Sequence, residues 1–140
     1  MRNGVYSIGY QGKTIGSFMN ELAESNISLL VDVRRNAFSF KKGFSKNQLR
    51  DYLKKAKIGY LHLPEFGIEA GKRKDLHTAQ DYKILFADYR KNLRLENDRL
   101  EYLKALGRKQ RIALMCFEAD KNFCHRGVLS DFLNCGVVHI

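Results

Sequence analysis

Several things are scarce in this chain of 140 residues, and each scarcity excludes something. Proline occurs once, at Pro64, while hydrophobic residues make up 44%; that balance belongs to an ordered globular domain and not to a linker-rich or disordered chain. No apolar run approaches the roughly 20 residues that a membrane-spanning helix needs, so no membrane partner is expected. Met1-Arg2-Asn3-Gly4 leads directly into a strand-like segment, with no signal peptide in view. Cysteine occurs three times; an odd number without a secretory leader predicts free thiols and a cytoplasmic setting. Internal repeats and low-complexity tracts are missing too. The length fits one domain spanning 1–140, able to bury a core without disulfide or metal staples.

Acidic residues are the remaining shortage. Asp and Glu number 15 against 25 Lys and Arg, a net charge of +10, which favours polyanions through long-range attraction. The imbalance is sharpest from Arg34 to Lys57, where nine cations (Arg34, Arg35, Lys41, Lys42, Lys46, Arg50, Lys54, Lys55, Lys57) face one acid, Asp51.

The pattern of what is present alternates strands with helices. Val5 to Tyr10 carries β-formers in alternation. Thr14 caps a helix with Ile15, Phe18, Met19, Leu22 and Ala23 on one face. Ile27 to Val33 is nearly continuous in apolar residues, as in a strand covered on both faces. Ser45 and Gln48 have the spacing of a capping box, with Phe44 and Leu49 as its staple, so a helix starts there and runs to about Ile58-Gly59. Tyr60 to Leu63 is a third strand, closed by Pro64. Glu65 to Thr78 reads as a loop over the strand ends. Tyr82, Leu85, Phe86, Tyr89 and Leu93 share a helical face, which Leu100, Leu103 and Leu106 continue after a break at Asn97-Asp98. Ile112 to Met115 is a buried strand, Cys124 opens a helix, and Val137 to Ile140 is a final short strand. This order predicts an α/β fold: a three-layer α/β/α single domain with a mostly parallel sheet, Rossmann-like or flavodoxin-like. Ligands of such sheets bind outside the carboxyl ends of the strands. That rule gathers Tyr10, Arg34, Glu65 and the segment from Cys116 to Arg126 on one edge.

The chemistry concentrates in that last segment, where two thiols, a carboxylate, an imidazole and a guanidinium surround a strand–loop–helix junction. A helix N-terminus at Cys124-His125-Arg126 favours anions and lowers a thiol's pKa. Cys124, His125 and Glu118 are therefore the catalytic candidates, the latter two as acid–base groups. Arg34 and Arg126 would hold a phosphate-bearing ligand, with Asp32 orienting Arg34 or acting as a base. Lys41, Lys42, Lys46 and Arg50 would track a nucleic-acid backbone, and loop aromatics Tyr10, Phe38, Phe40 and Phe66 could stack on bases. Gly71-Lys72-Arg73-Lys74 could extend that track.

Two other motifs are weaker. Ser7-Ile-Gly-Tyr-Gln-Gly-Lys-Thr14, with Asp32 after an apolar run, approaches a P-loop, but Ser7 stands where the first glycine is required; a turn at Gly12 and a cap at Thr14 explain it better. Zinc ligation by Cys116, Cys124, His125 and His62 is disfavoured because Cys-x7-Cys-His matches no paired-knuckle spacing and adjacent Cys-His ligands are awkward in a tetrahedron. His62 reads as an interior histidine and Cys135 as structural. No metal or other cofactor is therefore expected.

Five ordered motifs carry a resemblance: Tyr6-Ser-Ile-Gly-Tyr10, Leu30-Val-Asp-Val-Arg34, Gly43-Phe-Ser-Lys46, Tyr60-Leu-His-Leu-Pro-Glu-Phe-Gly67, and Cys116-Phe-Glu-Ala-Asp120 with Cys124-His-Arg126. Together they resemble the family called domain of unknown function 488. The resemblance implies a compact α/β domain without a settled activity and marks Asp32, Arg34, His62, Glu65, Cys116, Glu118, Cys124, His125 and Arg126 as signature residues. Many relatives have His where Tyr10 stands.

The expectation is thus a polar pocket for a nucleotide or nucleic acid, with hydrolysis as the reaction its acid–base groups would serve. A non-catalytic nucleic-acid-binding module using the basic face 34–57 is the first alternative. A thiol or redox enzyme using Cys116 and Cys124 is the second. The sequence leaves the oligomeric state open.

Overall fold

A computed structural model describes residues 3–68, 72, 76–118 and 124–140. Its elements in chain order are β1 (Gly4–Gly9), α1 (Ile15–Glu24), β2 (Leu29–Asp32), α2 (Lys46–Lys55), β3 (Gly59–His62), α3 (Ala79–Leu93), α4 (Asn97–Lys109), β4 (Arg111–Cys116), α5 (His125–Leu133) and β5 (Val138–His139). All strands pair in parallel, in the order β3-β2-β4-β1-β5. The α/β class holds. Within it, β4 is inserted between β2 and β1, an order found in neither the Rossmann nor the flavodoxin arrangement.

Side chains alternate across the sheet because the strand period is two. Tyr6, Ile8, Leu30, Ala113 and Met115 join Phe18 and Leu22 of α1 and Leu49 and Leu53 of α2 in one core. Val5, Val31, Ile112, Leu114 and Cys116 join Leu85 and Tyr89 of α3, Leu103 of α4 and Leu129 and Leu133 of α5 in the other. The chain moves toward the β3 edge through α1 and α2, then reverses toward β5 through the remaining helices. With crossovers of one hand, that reversal puts the two helix sets on opposite faces. β4 therefore sends its connection to the face opposite those of its neighbours β2 and β1, which opens a crevice at their carboxyl ends.

Local chemistry explains most boundaries. Thr14 and Ser17 form a reciprocal capping box at α1, and Gly12 at φ +76° makes the preceding turn, so the P-loop-like stretch is a turn and a cap. At α2 the helix starts as expected, but the expected capping box is not made. Ser45 Oγ instead accepts from Ser39 N–H and donates to Ser39 O, and Gln48 Oε1 accepts from Gly43 N–H. The loop before the helix competes successfully for the hydroxyl. Phe44 and Leu49 are both buried, as a staple requires. α2 ends at Lys55, earlier than expected, and Lys57 takes a left-handed φ of +60°.

The loop expected from Glu65 begins with a short 3-10 turn, Pro64–Phe66; Gly71, Arg73 and Lys74 of its charge run lie outside the described residues. The break between α3 and α4 falls at Arg94–Glu96, before Asn97. Among the described residues, no helix is long and apolar enough to cross a membrane.

Candidate functional site

Three adjacent strands, β2, β4 and β1, deliver the site. Beyond the strands the ladder continues: Val33 N–H donates to Met115 O, Tyr10 N–H to Cys116 O and Gln11 N–H to Phe117 O. The loop residues after these strands are thereby held side by side. A cavity of about 210 Å³ opens there, with Tyr10, Arg34, Cys116 and His125 among its lining residues. These four are buried and form its floor. Arg35, Asn36, Phe38 and Phe117 are exposed and form its rim. The expected convergence of residues distant in sequence is therefore present for these members.

On the α1–α2 face, Asp32 is fully buried beneath a bidentate pair with Arg34: Nε donates to Oδ1 at 2.9 Å and Nη2 to Oδ2 at 2.7 Å. Arg34 Nη1 also donates to Phe44 O at 2.6 Å and to Tyr10 Oη at 3.3 Å. Tyr60 Oη donates to Asp32 Oδ2 at 2.6 Å. His62, half-buried, donates from Nε2 to Arg34 O at 2.8 Å. Burial disfavours the guanidinium charge, but the Asp32 hydrogen bonds and charge outweigh it, so the Arg34 pKa is raised. Burial first, then the Asp32 charge and hydrogen bond, raise the Tyr60 pKa as well. Asp32 orients Arg34; its oxygens are committed to that task.

On the α5 face, the expectation of free thiols at Cys116 and Cys124 is overturned. The end of β4 and the N-cap of α5 lie side by side, and the two sulfurs are joined as a disulfide. Both residues are 1% exposed. Cys124 Sγ accepts from Arg126 N–H at 3.5 Å, and His125 Nδ1 lies 3.9 Å from it. His125 Nε2 donates to Val33 O at 2.8 Å, and the ring packs edge-on against Tyr89. Glu118 Oε2 lies 3.8 Å from Cys116 Sγ. Cys116, Cys124 and His125 present three donor atoms within 4.8 Å of one another; this group does not include His62.

Other candidates have partners of their own. Arg126 is 1% exposed, and its guanidinium donates to Ser7 Oγ at 2.7 Å and to Glu118 O at 2.8 Å. It braces the loop after β4 against β1, and it meets Glu118 through the backbone carbonyl. Ser7 Oγ also contacts His139 Nδ1, tying β5 to the same brace. Glu65 pairs with Arg99 at 3.4 Å and lines a neighbouring cavity of about 190 Å³, not the crevice. Cys135 is exposed and free; partial burial nonetheless raises its thiol pKa. Of the aromatics expected to stack on bases, Tyr10 and Phe66 are buried, whereas Phe38 is 56% and Phe40 97% exposed. Tyr10 spends its ring on Phe44, with centroids 4.5 Å apart.

The basic residues divide similarly. Lys42, Lys46 and Arg50 are exposed, while the Lys41 ammonium sits 5.9 Å from the Phe44 ring centroid. Lys46 N–H donates to Ala37 O at 2.8 Å, so α2 begins beside the crevice rim. Sequence reasoning placed Phe117 at this edge without giving it a role, although an exposed aromatic directly beyond a buried strand was a signal for one; Asn36, Tyr60 and Tyr89 became visible only with the fold.

Gly67 sets the spacing of this edge. A Cβ there would lie 2.0 Å from Arg35 N and 2.5 Å from its Cα, so only glycine lets the turn after β3 press against the Arg34–Arg35 peptide.

Fold and site together define a parallel, two-faced α/β domain with a polar crevice above its three central strands. The family model for the domain of unknown function DUF488 matches residues 14–133, and the chain belongs to that family. No curated protein and no solved structure matches it.

Proposed function

We propose that the crevice receives one nucleotide, free or within a single strand, with its base against the rim aromatics and its phosphate toward the basic segment. The observation that carries this reading is that Phe38 and Phe117, 56% and 42% exposed, line one cavity together with Arg35 and Asn36. Exposed rings offer stacking surfaces that every base can use, and neighbouring cations hold its backbone. The cavity, about 210 Å³, is smaller than the roughly 300 Å³ at which pockets for drug-sized ligands begin; it suits one ring system better than a dinucleotide. Lys42 in the preceding loop and Lys46 and Arg50 on α2 continue the cationic surface. His125 on the floor and Glu118, whose carboxylate lies 3.8 Å from Cys116 Sγ, are the acid–base groups that such a site offers to hydrolysis while the two sulfurs remain joined. The thiol-enzyme reading has less support, because both sulfurs are buried.

Fluorescence anisotropy with short labelled oligonucleotides tests the proposal, with mononucleotides as competitors. Phe38→Ala is expected to weaken binding roughly 5- to 150-fold, the equivalent of about 1–3 kcal/mol of stacking, without changing stability. Neutralising Lys42, Lys46 and Arg50 together is expected to flatten the slope of log K against log salt by about 2. Binding that ignores Phe38→Ala and Phe117→Ala but collapses on neutralising α2 favours the basic-face module instead.

A further inference from the structure

We infer that the reduced chain holds a soft divalent cation, zinc by its chemistry, on Cys116 Sγ, Cys124 Sγ and His125 Nδ1. The inference shares Cys116 and His125 with the crevice of the proposed nucleotide site but concerns the reduced chain, and its cobalt test reads the metal alone, so either reading can fail without the other. Three donors from β4 and α5 meet within 4.8 Å, despite a sequence spacing that fits no paired-knuckle pattern. Parallel pairing of the end of β4 beside β1 and β2 supplies the convergence that spacing alone does not.

The histidine carries the sharpest evidence. His125 Nε2 donates to Val33 O, so in the neutral ring the proton sits on Nε2 and the lone pair on Nδ1. Metal-bound histidines are fixed this way, by a backbone carbonyl on the far nitrogen. Here the far nitrogen is anchored to β2, Tyr89 holds the ring edge-on, and Nδ1 faces Cys124 Sγ at 3.9 Å. Bonds of about 2.3 Å to sulfur and 2.0 Å to nitrogen place tetrahedral neighbours about 3.5 Å apart.

Charge agrees with that donor set. Two thiolates buried in the apolar core would be costly without compensation, and a divalent cation neutralises them. Arg126 N–H, already directed at Cys124 Sγ, would support the thiolate. Two thiolates and an imidazole select zinc over magnesium or calcium. Cys116 and His125 both line the crevice, so the fourth position opens toward it. Binding requires the dithiol: two equivalents of a monothiol cleave the S–S bond and leave as their own disulfide, and the cation then displaces both thiol protons to solvent.

Cobalt(II) added to the reduced Cys135→Ser protein tests this directly, because Cys116 and Cys124 are then the only thiols. One equivalent is expected to bind with a thiolate-to-metal charge-transfer band and the intense visible bands of four-coordinate cobalt, and zinc is expected to bleach both. His125→Gln is expected to weaken binding at least tenfold while keeping the charge-transfer band. A folded, fully reduced Cys135→Ser protein, verified by circular dichroism and thiol titration, that shows no charge-transfer band overturns the site. Unchanged affinity in His125→Gln overturns the three-ligand assignment.

Discussion

On the α1–α2 face of the sheet, Asp32 and Arg34 hold each other through two hydrogen bonds, and Tyr60, Tyr10 and Phe44 occupy further bonding positions. On the α5 face, Cys116, Cys124 and His125 bring sulfur and nitrogen donors together, and Arg126 spends its guanidinium on Ser7 and the Glu118 carbonyl. The first group is a closed lattice of opposite charges whose work is to fix the floor of the crevice. The second gathers sulfur and nitrogen donors at a helix start. Both meet the crevice through a single strand end, since Asp32 points to one face while the Val33 carbonyl reaches His125 on the other. A polar residue buried in this domain is thus not by itself a ligand-binding residue; what its donors and acceptors already satisfy decides that.

The comparison breaks most visibly at Asp32. Asp32→Asn leaves the Arg34 guanidinium buried beside a neutral partner, and a loss of about 3–5 kcal/mol is expected in urea denaturation. A loss under about 1 kcal/mol would mean that the pair is solvated and that Arg34 is available to ligands. Gly67→Ala drives a methyl group into the Arg35 backbone and is expected to cost about 1–3 kcal/mol, with nucleotide binding weakened in parallel as the Arg34–Arg35 peptide shifts. Tyr60→Phe removes one hydrogen bond to a charged acceptor, worth about 1.5 kcal/mol.

Tyr60 also sharpens the comparison through pH. Its folded pKa is raised by burial and by the Asp32 charge, so the unfolded chain loses the phenolic proton first. Its contribution is therefore complete below the ordinary tyrosine range and declines as pH rises through that range toward the folded value. Urea midpoints measured across alkaline pH should fall less steeply for Tyr60→Phe than for the parent. Equal slopes would remove Tyr60 from the Asp32 network.

Much of the fold was legible from residue pattern. The continuous apolar strands, the Thr14 cap and the alternation of strands with helices announced a parallel sheet. The rule of carboxyl-edge binding brings Tyr10, Arg34, Cys116 and His125 together from residue pattern alone. Strand order was not legible, because the insertion of β4 between β2 and β1 leaves no local signature. The roles of the two arginines were also hidden: each depends on partners far away in sequence, Phe44 and Tyr10 for Arg34, Ser7 for Arg126. Ser45 was misassigned for the opposite reason. Its spacing to Gln48 was ideal, yet Ser39 lay closer in the folded loop. The convergence of Cys116, Cys124 and His125 leaves no knuckle spacing in the sequence, because a strand end and a helix start bring the three together.

Photocrosslinking tests the central claim most directly. A short single strand carrying one halogenated pyrimidine, irradiated on the protein and mapped by mass spectrometry, is expected to attach at Phe38 or Phe117, and free mononucleotide is expected to suppress the product. Crosslinks confined to α2, or to surfaces away from the crevice, would contradict a nucleotide seated above the three central strands.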